Sequence, residues 1–66
     1  MDDEVVLEKK LDVLRDKHRE IDALIDNLAE TPYHDQLRLM RLKKQRLDLR
    51  ERIIQIEAVL YPDIIA

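Results

Sequence analysis

The sequence contains no glycine, cysteine or serine, and each absence excludes a class of structure or chemistry. Without cysteine it can form neither disulfides nor thiolate metal sites. Without cysteine and serine it also lacks the commonest nucleophiles of covalent catalysis. Without glycine, and with proline only at Pro32 and Pro62, it has few of the residues that interrupt helices. We therefore expect long helices with one break near the centre of the chain.

Aromatic residues and long apolar runs are also scarce. The only aromatics are two tyrosines, whereas 41% of the residues are charged and 45% are hydrophobic, a composition typical of long helices and coiled coils. No apolar run approaches the roughly 20 residues that span a bilayer, and the acidic N-terminal segment does not resemble a signal peptide. We expect a cytoplasmic protein with no membrane association.

The first half of the chain contains a heptad pattern. Its members follow one another by alternating steps of four and three, which places them on one helix face. They are Leu7, Leu11, Leu14, His18, Ile21, Ile25 and Leu28. This pattern predicts a first helix over about residues 3–30.

The second half repeats the alternation over a predicted second helix of about residues 35–60. Its members are Leu39, Leu42, Arg46, Leu49, Ile53, Ile56 and Leu60. A turn over residues 31–35 separates the helices, because a residue before proline is disfavoured in the helical conformation. Either Thr31 or Asp35 could be the N-cap of the second helix. After Pro62 we expect an extended tail over residues 61–66, which could fold back, dock onto a partner or be disordered.

The short connection predicts an antiparallel two-helix hairpin of the all-α class. Pairing residues whose numbers sum to 67 matches all seven positions of the two patterns, and five of the seven layers are wholly aliphatic. The two polar members, His18 and Arg46, fall in adjacent layers. We interpret them as structural residues that set the register, with Arg46 extending its guanidinium to water or to Asp22.

The second helix carries another stripe, on a face turned away from the first helix. Its members also advance by three and four: Leu37, Met40, Lys44, Leu47, Glu51, Ile54, Ala58 and Tyr61. We predict that Leu37, Met40, Leu47, Ile54 and Tyr61 contact a second copy or a helical partner protein. Antiparallel pairing would bring Lys44 near Glu51 of a second copy and form a four-helix bundle. The alternative is an amphipathic helix with isolated exposed apolar residues.

The segment Arg38–Arg52 contains seven bases and two acids, which raises the possibility of nucleic-acid binding. Its bases are scattered around the predicted helix, and no aromatic residue lies among them. Solvated helix flanks are therefore the favoured interpretation, and a nucleic-acid-associated dimer is the alternative. The sequence does not separate an interaction module from an accessory subunit whose chemistry lies on another protein.

Catalytic and metal sites find little support in the sequence. His18 lies near the middle of the first helix and His34 in the turn, so one chain does not bring the two histidines together. The turn residues Tyr33, His34 and Asp35 would offer two metal ligands at most, which makes a weak site. We expect no catalytic residue, no resident metal and no cofactor.

The segments "DKHREIDALI" and "RLKKQRLDLRERI" resemble the YdcH-like family of short bacterial proteins of unknown function. The resemblance covers about residues 7–58. A histidine followed four residues later by aspartate, and a Leu-Lys-Lys segment, recur in that family; here they are His18 with Asp22, and Leu42, Lys43 and Lys44. The resemblance implies a helical hairpin in the bacterial cytoplasm and no particular activity.

Overall fold

A computed structural model describes residues 3–31 and 35–64 of the chain, with only the backbone described at Ile64. Helix α1 comprises Asp3–Glu30 and helix α2 comprises Gln36–Leu60, and a short 3₁₀ helix follows at Pro62–Ile64. Over these residues the structure contains no β-strand. The two long helices pack against each other, which confirms the predicted all-α helical hairpin.

Asp35 is the N-cap of α2, which decides between the two predicted starts. Its backbone is extended, and its carboxylate Oδ1 accepts hydrogen bonds from the backbone N–H groups of Leu37 and Arg38 at 3.0 and 3.3 Å. These bonds satisfy amides that have no partner within the helix. Thr31 instead closes α1, where its hydroxyl donates to the carbonyl oxygen of Asn27 at 3.1 Å. The turn residues 32–34 lie outside the described part of the chain.

Replacing the N-cap should lower the stability of the hairpin. Asp35→Ala removes both side-chain hydrogen bonds and should cost about 1 kcal/mol of unfolding free energy. Asp35→Asn keeps an acceptor oxygen and should change the value by much less. Urea denaturation followed by circular dichroism measures both variants, and equal losses for the two would show that the cap is not what matters at this position.

The two seven-residue heptad patterns form the inner faces of α1 and α2. All fourteen members are buried or half-buried, including His18 and Arg46. The most buried are Leu11, Ile25 and Leu39, which are 2%, 5% and 8% exposed. The core of the hairpin is therefore one line of side chains between two helices, and it is thin.

Contacts between the helices show the antiparallel arrangement. Arg15 of α1 lies 3.9 Å from Glu57 of α2, and further along α1 Asp22 lies 3.0 Å from Arg46. As the residue number in α1 rises from 15 to 22, the number of the contacting residue in α2 falls from 57 to 46, as it must for antiparallel helices. The second contact also agrees with the predicted register, which places Arg46 opposite Ile21, the residue next to Asp22.

The residues after α2 differ from the predicted extended tail. The N–H of Tyr61 donates to the carbonyl oxygen of Glu57 at 2.7 Å, and Pro62–Ile64 then form one 3₁₀ turn. Proline is compatible with the first position of a helical turn, because its fixed φ suits that turn and it lacks an N–H that would need a partner there. Ile65 and Ala66, the last residues of the predicted tail, lie outside the described part of the chain.

Candidate interaction surfaces

The predicted second stripe of α2, here called the outer stripe, lies on the solvent side of the hairpin. Its five interface candidates are between 37% and 65% exposed: Leu37, Met40, Leu47, Ile54 and Tyr61. Lys44, Glu51 and Ala58 complete the stripe and are also exposed. Within one hairpin, α1 does not cover these side chains, because they point away from the inner face.

The two polar residues of the inner face meet at Asp22. The guanidinium Nη1 of Arg46 donates to Asp22 Oδ1 at 3.0 Å across the helix interface. His18 lies four residues before Asp22 on the same helix, and its imidazole Nδ1 is 3.6 Å from the other carboxylate oxygen, Oδ2. One carboxylate therefore lies between two nitrogen groups, and Asp22 is half-buried as a consequence. All three groups keep access to water, so this contact contributes modestly to stability and mainly orients Arg46.

Replacing the inner-face histidine with an aliphatic residue should stabilise the hairpin. The His18 side chain is 28% exposed, and the predicted register places it opposite Leu49. His18→Leu should raise the melting temperature by about 4–8 °C, the shift expected for a gain of about 1 kcal/mol in a domain of this size. His18→Gln, which stays polar, should not do so. A lower melting temperature for His18→Leu alone would show that the contact with Asp22 outweighs the added apolar burial.

An open groove with an excess of basic side chains runs along one flank of the hairpin, beside the outer stripe. We call it the basic groove. Its cations are Arg15, Arg19, Lys43, Arg46 and Arg50, and its acids are Asp22 and Glu57. Both helices contribute cations. The sequence interpretation weighed nucleic-acid binding on the bases of residues 38–52 alone and did not identify this surface.

The ion pair at the end of the basic groove differs from the pairing suggested by the register. The predicted register places Arg15 opposite Arg50, which occupies the equivalent flanking heptad position. In the structure Arg15 instead lies near Glu57, one heptad further along α2. Helical side chains lean toward the N-terminus of their own helix. Because the helices are antiparallel, that lean carries Arg15 toward the C-terminal end of α2, where Glu57 leans to meet it.

The remaining bases of residues 38–52 lie on other surfaces, as the heptad positions indicated. Arg52 lies on the opposite flank, in an open groove with Lys9, Lys10 and Val13. Arg38 lies close to the turn, beside Leu24. The segment Arg38–Arg52 therefore does not form one basic face by itself.

The described part of the chain offers neither a metal-binding cluster nor a membrane-spanning helix. Over residues 3–31 and 35–64, no group of three or more His, Cys, Asp or Glu side chains is arranged to hold a metal ion. His34 and Tyr33 lie outside those residues. No helix in the described part is long and apolar enough to cross a membrane.

These observations define the class: a small antiparallel helical hairpin with exposed apolar and basic surfaces. The model of one protein family, DUF465, described as proteins of unknown function, matches residues 11–57. The chain belongs to this family, which is the YdcH-like family, so the resemblance seen in the sequence is confirmed. No curated protein matches the chain, and neither does any solved structure.

Proposed function

We propose that the protein is an assembly module without catalytic activity, and that it self-associates through the outer stripe of α2. The observation that carries this proposal is the run of exposed apolar side chains, Leu37 to Tyr61, that keeps a heptad spacing over the whole helix. Exposed apolar stripes of this length are typical of protein interfaces.

The accessible surface of the chain also favours association. It is 5608 Å² for a mass of 7.9 kDa, whereas a compact folded monomer of that mass exposes about 4,400 Å². The difference exceeds the roughly 800 Å² that each partner buries in a standard interface. A second chain could therefore cover surface that the thin core of one hairpin leaves in water.

A second copy in antiparallel orientation fits the outer stripe. Pairing positions whose numbers sum to 98 places Leu37 against Tyr61, and Met40 against Ala58, of the other chain. Lys44 and Glu51 of the second copy then lie in adjacent layers, so opposite charges are neighbours. A parallel pair in register would stack Lys44 on Lys44. The antiparallel pair of hairpins is a four-helix bundle with α2 helices at its centre.

Static light scattering over a dilution series, with circular dichroism at each concentration, tests the proposal. We expect the mass of two chains at high concentration and a lower mass on dilution. Helicity that falls together with the mass would show that association completes the fold. A fully helical chain with the mass of one copy at every concentration would contradict self-association.

A further inference from the structure

We infer that the basic groove binds an acidic, amphipathic segment of a different protein. This inference concerns a partner other than the second copy of the proposed function. It rests on the cations of the groove, and it shares only Leu47 and Ile54 with the outer stripe. The groove carries three kinds of evidence for such a ligand: its charge, its apolar wall, and the positive charge that self-association leaves unmatched at Arg50.

The charge of the groove is a clear excess of cations. Five basic side chains face two carboxylates, and both carboxylates are already engaged, Asp22 by Arg46 and Glu57 by Arg15. Within the part of the chain that the structure describes, Lys43 and Arg50 take part in no ion pair. These two cations are exposed and lie one heptad apart on α2. Carboxylates of a ligand are their natural counter-charges.

The wall of the groove is apolar. Leu47 and Ile54 line it and are each about half exposed, and Ile53 lies deeper between them and α1. A helix with apolar residues on one face and acids beside them could contact these side chains and the cations together. The lining contains no Phe, Tyr or Trp side chain on which nucleic-acid bases could stack. The combination favours a protein segment over a nucleic acid.

Self-association supplies only part of the missing negative charge. In the antiparallel register of the outer stripe, the flanking positions on this edge pair with numbers that sum to 100, two more than the stripe positions. Lys43 therefore lies opposite Glu57 of the second copy, but two Arg50 side chains approach each other. Pairing therefore leaves an unmatched positive charge at Arg50. An acidic partner would relieve that repulsion. Because Leu47 and Ile54 belong to both surfaces, the acidic segment and the second copy compete for them.

The test uses the full chain and a synthetic fluorescent peptide as the probe. The peptide is about three heptads long, with leucines at alternating spacings of three and four, glutamates beside them, and alanine and glutamine elsewhere. A scrambled peptide of the same composition and a short duplex DNA are the comparison ligands. Fluorescence anisotropy at low and at physiological ionic strength measures each affinity, and circular dichroism confirms that every protein variant is folded.

We expect the amphipathic peptide to bind more tightly than the scrambled peptide and the DNA. Arg50→Glu and Lys43→Glu should each weaken its binding roughly tenfold or more, because each replaces attraction by repulsion. Arg52→Glu, a matched charge reversal on the opposite flank, should change it less than twofold. Equal binding of the scrambled peptide or of DNA, equal losses from Arg52→Glu, or no binding of the amphipathic peptide would each overturn the inference.

One further variant separates this inference from the proposed self-association. Leu37 belongs to the outer stripe but does not line the basic groove. Leu37→Glu should therefore weaken self-association while leaving peptide affinity unchanged or higher, since it removes the competitor. Lower peptide affinity for Leu37→Glu would contradict a separate binding groove, whatever its effect on the mass of the protein.

Discussion

Leu11→Ala is expected to unfold most of the hairpin at room temperature. Leu11 is the most buried side chain in the described part of the protein, at 2% exposure. Truncating a buried leucine costs about 2–5 kcal/mol, since it removes apolar contacts and leaves a cavity. The core of a chain this small rarely supplies more than about 3–5 kcal/mol. Loss of the far-ultraviolet dichroism of the helices, and a lower urea midpoint, would record the effect.

Val13→Ala is the matched control for that substitution. Val13 lies on the same helix and is exposed, so its truncation removes little buried surface. Alanine also has the higher helix propensity. We expect a change within about 0.5 kcal/mol, as for most surface substitutions. If Leu11→Ala were no more damaging than Val13→Ala, the inner faces of α1 and α2 would not be the main source of stability.

Leu47→Glu is expected to abolish association over the concentration range in which the unaltered protein is assembled. Leu47 lies near the centre of the outer stripe and is 54% exposed in one hairpin. Central apolar contacts of an interface often contribute about 2 kcal/mol or more, which corresponds to roughly a 30-fold change in the dissociation constant. A glutamate there would also have to lose water on association. Analytical ultracentrifugation measures the shift in mass.

Val59→Glu controls for the introduced charge. Val59 is an exposed apolar residue of α2, but it does not belong to the outer stripe. The Val59→Glu substitution should therefore leave association nearly unchanged. Circular dichroism at high concentration distinguishes loss of association from loss of folding in Leu47→Glu. Equal weakening by both variants would show that net charge, and not the outer stripe, governs association.

The fold class could be predicted from the sequence because the signals for it are local and redundant. Two heptad patterns and one proline-containing break were enough to predict two helices that pack side by side. The patterns also identify the inner faces. In the described part, the only other residues that are even half-buried are Val6, Asp22 and Glu57. Burial in a two-helix hairpin follows the repeat, because each helix has one neighbour and one face toward it.

The surfaces were harder to predict because they depend on side chains from both helices. The sequence indicated the outer stripe, which lies on α2 alone. It did not indicate that Arg15 and Arg19 of α1 join Lys43 and Arg50 in one groove. The flanking heptad positions place Arg15 opposite Arg50, but that pairing alone does not show that Arg19 and Lys43 line the same groove. The 3₁₀ turn after Tyr61 was also missed, since proline is compatible with both an extended and a helical backbone.

By itself, the sequence determined the helices, their inner faces and the antiparallel pairing, because heptad spacing and a single break act over short distances. Only the tertiary structure decided which charges meet. The Asp22 carboxylate lies between His18 and Arg46, and Arg15 reaches Glu57 and not Arg50. These contacts depend on the direction in which long side chains leave two packed helices, and a difference of one heptad changes an attraction into a repulsion. Spacing along one chain does not contain that information.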